Sequence, residues 1–91
     1  MTASQWPKSN YGYAFNEGWA EFWAGSCYGT YGKSKYDYRY EGNVAKALRR
    51  LKSKCKSSDR RFIQVLKKNR GKIHSFSSFN IKHKSLYGCS L

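Results

Sequence analysis

Ala14-Phe15-Asn16-Glu17-Gly18-Trp19-Ala20-Glu21-Phe22-Trp23-Ala24 holds two of the three tryptophans and two of the five acidic residues of a 91-residue chain. Read as a helix, it puts Phe15, Trp19, Phe22 and Trp23 on one apolar stripe. Glu17 and Glu21, four residues apart, then share an adjoining face. Asn16 is a candidate N-cap, with a start near Tyr13 as the alternative. Gly18 is unfavourable inside a helix by about 1 kcal/mol relative to Ala. A glycine kept there points to something packing close against the backbone. Gly25 supplies a natural C-terminal stop.

Outward from this stretch the chain divides by charge. Residues 1–41 balance four basic residues (Lys8, Lys33, Lys35, Arg39) against four acids (Glu17, Glu21, Asp37, Glu41). Residues 42–91 carry fourteen Lys/Arg and one acid, Asp59, and so hold the whole formal charge of +13. The expected unit is a single small one over 1–91, with a neutral aromatic-rich part (1–41) and a basic helical part (42–91). A chain of this length buries only about two thirds of its unfolded surface. With eight Tyr, five Phe and three Trp, its core has to rest on aromatic packing.

Two further helices follow from periodicity. Val44, Leu48, Leu51 and Cys55 mark one apolar stripe over 41–56, with Asn43 as the candidate cap. Phe62, Val65 and Leu66 mark another over 57–69, with Ile63 beside them. There Ser58 is the cap, Asp59 lies in the first turn and Gly71 is the stop. Ser78 is a candidate cap for a short helix over 79–86. Tyr36, Tyr38 and Tyr40 alternate like a strand, but no partner strand is in sight, so an irregular Tyr-packed connection is expected. Pro7 biases Trp6 away from helix, which makes 1–10 an extended lead-in with Trp6 docked on the core. The fold class expected is mainly α, three or four short helices with aromatic-rich irregular loops, in a unit that need not be a complete domain.

Several chemistries lack their motifs. No Gly-x-Ser-x-Gly elbow, phosphate-binding loop or dinucleotide fingerprint appears. Cys27, Cys55 and Cys89 are too widely spaced for a CxxC zinc site. An odd number of cysteines leaves open either one disulfide with one thiol or full reduction. His74 and His83 lie in a Ser-rich basic tail, where surface positions are the ordinary expectation. No apolar run reaches the roughly 18 residues of a membrane span, and the first nine residues do not read as a signal peptide.

Spacing alone fits two solvent-facing glutamates. The segment Asn16-Glu17-Gly18-Trp19-Ala20-Glu21-Phe22, however, resembles the glutamate-bearing helix of the glutamate zincins, the zinc metallopeptidases that include thermolysin-like and aminopeptidase-like families. The resemblance implies that Glu17 is a zinc ligand, that Glu21 supports the site from behind, and that Asn16 and Gly18 match the flanking positions. It covers about ten residues. The family's His-Glu-x-x-His, which supplies two ligands and the general base, is absent from this chain. The implied protein is therefore a metallopeptidase-like fragment, inactive alone, with zinc held only if ligands come from outside these residues. Its implied partner is the missing N-terminal sequence of a larger protein. A reading of a different class rests on charge: a nucleic-acid or polyanion-binding module using Lys46, Arg49, Arg50, Lys52, Arg60, Arg61, Lys67 and Lys68.

Overall fold

The computed structural model describes residues 10–25 and 34–91, and every structural statement below concerns those residues. They form four helices and no strand: α1 (Tyr11–Ala24), α2 (Glu41–Cys55), α3 (Asp59–Lys68) and α4 (Phe76–Tyr87). None is long and apolar enough to cross a membrane. The lead-in with Trp6, Cys27 and the start of the Tyr-rich connection lie outside the described residues.

The helix ends show which local signals win. Helix α1 is capped by Asn10, whose side-chain oxygen accepts from the Tyr13 backbone N–H at 2.7 Å. Asn16 is therefore not the cap; it lies exposed inside the helix. Gly25 closes α1 in the left-handed region at φ 66°, as expected of a residue without a Cβ penalty there.

At α2 the cap position is Tyr40, without a side-chain cap bond. Asn43 is one turn inside and buried, and its Nδ2 donates to the Ser34 and Asp37 carbonyls at 2.9 and 3.0 Å. It ties the connection to the helix instead of starting it. That connection is a series of turns, as expected, held also by Arg39 on Asp37 and by the Tyr38 ring against Phe76, centroids 4.7 Å apart.

Ser58 caps α3 as read, accepting from the Arg61 N–H. The helix ends at Asn69, two residues short of Gly71, where the Asn69 Nδ2 donates to the Val65 carbonyl. Helix α4 starts a turn earlier than the Ser78 signal implied. Ser75 is its cap and Ser78 the reciprocal partner in a capping box, so both serines satisfy orphan N–H groups. The early start brings Phe76 onto the inward face.

The core is aromatic at its centre. Phe62 and Phe79 are fully buried with ring centroids 5.1 Å apart, and Trp19 lies over both, at 6.4 Å from Phe62 and 5.5 Å from Phe79. Val44, Ala47, Leu48, Leu51 and Val65 fill the space around the rings. Each large side chain so buried contributes about 1.5–3 kcal/mol. Phe15, Trp19 and Phe22 thus find partners within the chain, while Trp23 stays 37% exposed. Ile63 is also exposed, outside the apolar face of α3.

Two tertiary devices were not legible beforehand. A disulfide joins Cys55 at the end of α2 to Cys89 beyond α4, with Cα atoms 5.8 Å apart. His83 is not a surface residue but fully buried, its ring edge-on to Phe62 and Tyr87. Its Nδ1 donates to the Cys89 carbonyl at 2.7 Å, leaving Nε2 to accept from the Ser57 hydroxyl. A buried polar ring is tolerated when both nitrogens are paired in this way.

Candidate functional site

The glutamate face is built by one close helix crossing. Helix α1 packs chiefly on α2, and Gly18 lies close against the start of α2. A Cβ at Gly18 would sit 2.6 Å from the Val44 Cβ and Cγ1 and 2.8 Å from the Glu41 carbonyl oxygen. The absence of a side chain at Gly18 therefore lets the start of α2 lie against α1. The crossing brings Glu41, in the first turn of α2, to the carboxylates of α1.

Glu17 and Glu21 are both half-buried on that face. Burial raises the Glu21 pKa from 4.5 to about 7, with further upward pushes from the charge of Glu41, a hydrogen bond with Glu41 and the charge of Glu17; Arg49 pulls it back down. A hydrogen bond between two carboxyls needs one of them protonated. Helix ends decide which. Glu41 sits at a helix N-terminus, where the dipole favours negative charge, and Glu21 in the last turn of α1, where it does not. The shared proton therefore belongs to Glu21. The Glu21 Oε2 is buried with no hydrogen-bond partner.

The pH consequence follows from linkage. The folded pKa lies above the unfolded one, so the folded state binds more protons between about 4.5 and 7. Stability is then greatest below the lower value and falls as pH rises through the window. Glu21→Gln, which keeps the neutral shape, should flatten that fall and melt above the wild type at about pH 8. Thermal melts of both proteins at about pH 5 and pH 8 check this; parallel losses in the two would contradict the assignment.

Among the described residues no group of three or more His, Cys, Asp or Glu could hold a metal ion. Both nitrogens of His83 are engaged in the core, and the His74 Nε2 bonds the Gly71 carbonyl at 2.9 Å. Glu17 and Glu41 both act on Glu21. Glu41 is the member of this face that sequence reading missed. Its signal was an acid at the junction of the neutral and basic parts.

The basic residues fall into separate settings. Arg49 faces the carboxylates, and Arg50 bonds the Tyr38 hydroxyl, whose pKa burial pushes up. Lys52 pairs with Asp59 at 3.1 Å, and Arg61 lies over the Tyr87 ring at 4.9 Å. Lys46, Arg60, Lys67 and Lys68 are exposed.

No protein-family model, curated protein or solved structure matches this chain.

Proposed function

We propose that the chain is the glutamate-bearing part of a metallopeptidase-like protein, supplying Glu17 as one ligand to a zinc ion whose remaining ligands lie outside these residues. The observation that carries the reading is the carboxylate cluster itself. Three glutamates converge at one helix crossing in a chain of formal charge +13. Burial first, and then the neighbouring Glu41 and Glu17, keep a proton on Glu21 to near neutral pH.

The roles divide by position. Glu17 is the outlying carboxylate, with Glu21 one turn behind it on the same face. Glu21 and Glu41 share a proton and form a weakly charged backing that orients Glu17 and accepts a hydrogen bond from an incoming ligand side chain. Gly18 sets the crossing on which all three depend. Peptide hydrolysis is not expected of the chain alone, because a catalytic zinc takes three protein ligands and an open position.

A retention assay tests the incomplete site. After exposure to zinc and gel filtration, the 91-residue chain should keep well below one equivalent. A full equivalent that survives in Glu17→Ala would contradict the assignment of Glu17.

A further inference from the structure

Beyond Arg49, which borders the carboxylates, the C-terminal half of α2 carries a different chemistry. Arg49, Lys52, Ser53 and Lys56 follow one another at i, i+3, i+4 and i+7, which places them along one face. They line a surface groove of about 430 Å³ together with Phe22 of α1 and Ser57 of the α2–α3 connection. The volume lies in the range of small-molecule sites, roughly 300–1,000 Å³.

Three features build the groove. Lys56 ends α2 in the left-handed region at φ 51°, so the chain turns and Ser57 enters the same wall. The Ser57 hydroxyl is anchored to buried His83, which is held in turn by the Cys89 carbonyl. The opposite wall is the Phe22 ring, fixed against Phe62 with centroids 5.5 Å apart. The ion pair with Asp59 occupies one of the three ammonium donors of Lys52.

We propose that this groove binds a phosphomonoester, with the phosphate on Arg49, Lys52 and Lys56 and an apolar or flat organic part on Phe22. A guanidinium and two ammonium groups suit a compact dianion, for which charge-assisted hydrogen bonds are strong. From Arg49 to Lys56 the helix rises only about 10 Å. That span fits one phosphate and not a row of them. The site uses none of the three glutamates and shares only Arg49 with their face, so a result at Lys56 is read separately from the Glu17 reading.

Lys56 is the position to vary. It touches neither the carboxylates nor Asp59, unlike Arg49 and Lys52. In NMR titrations of the whole chain at low salt, phenyl phosphate should saturate and shift the amides of Ser53, Lys56 and Ser57. Lys56→Gln should weaken it about tenfold, and Lys84→Gln, an equal loss of charge on α4, should leave it unchanged. Phe22→Leu should weaken phenyl phosphate and spare inorganic phosphate. Vesicles of phosphatidic acid separate the sources. Vesicle binding displaced by phenyl phosphate identifies a lipid headgroup, and no vesicle binding identifies a soluble ester; both support the site. Equal weakening by Lys56→Gln and Lys84→Gln would reduce the groove to diffuse charge and overturn the proposal, as would a lack of saturation.

Discussion

Removing the Cys55–Cys89 bridge should destabilise the fold by about 4 kcal/mol on the chain-entropy account of a loop closed over a separation of 34 residues. That is a large share of the roughly 5–15 kcal/mol available to a small domain. The bridge also acts on the native state. It holds the Cys89 carbonyl that accepts from the His83 Nδ1, and His83 in turn holds Ser57. Losing the bridge therefore loosens a buried polar chain as well as the tail. The clean comparison is a Cys27→Ser background with and without the pair replaced by Ala, unfolded in guanidinium chloride. The variant should lose most of its midpoint, and reduction of the parent should reproduce the loss. Equal midpoints would show that the bridge contributes nothing to the folded state.

Gly18→Ala should destabilise the fold, although it improves helix propensity by about 1 kcal/mol. The new methyl would overlap the Val44 Cβ and the Glu41 carbonyl oxygen, at 2.6 and 2.8 Å. Neither atom is the end of a flexible side chain, so α1 and α2 must move apart. Overpacking of this kind costs about 1–3 kcal/mol and sometimes more, and it acts at the crossing that carries the core. Less the propensity gain, a net loss of up to about 2 kcal/mol is expected in chemical unfolding. The displacement also predicts a second readout. With Glu41 drawn away from Glu21, the Glu21 pKa should fall from about 7 toward its ordinary 4.5, which side-chain carbon shifts report. An unchanged pKa with unchanged stability would mean that the crossing is not held by the missing side chain.

Much of the fold was legible because its signals are local. The apolar stripe Val44, Leu48, Leu51 and Cys55, the cap Ser58 and the stop Gly25 each depend on residues within one or two turns, and Gly18 announced a close packing without saying against what. The misread ends failed where two good signals competed. Asn16 and Asn43 have the chemistry of caps, but Asn10 and the turn at 34–40 recruit the chain first, and Asn43 satisfies carbonyls of that turn instead. Ser78 looked like a cap because it is half of one, the other half being Ser75.

The long-range features were not legible for a physical reason. The pairing of Cys55 with Cys89, the burial of His83 and the meeting of Glu41 with Glu21 are set by how helices pack, and no local spacing encodes them. Of the candidate site, Glu17 and Glu21 were visible as an i, i+4 pair. The proton that Glu21 shares with Glu41 became visible only from the crossing.

The central claim is that Glu17 completes a zinc site whose other ligands lie outside these residues. The most direct measurement is zinc content of the protein expressed from the full reading frame that contains the Met1 codon. A His-Glu-x-x-His segment upstream in that frame and about one zinc per chain, lost in Glu17→Ala and kept in Glu21→Gln, is the predicted result. A frame without that segment, or zinc that Glu17→Ala leaves in place, would contradict it.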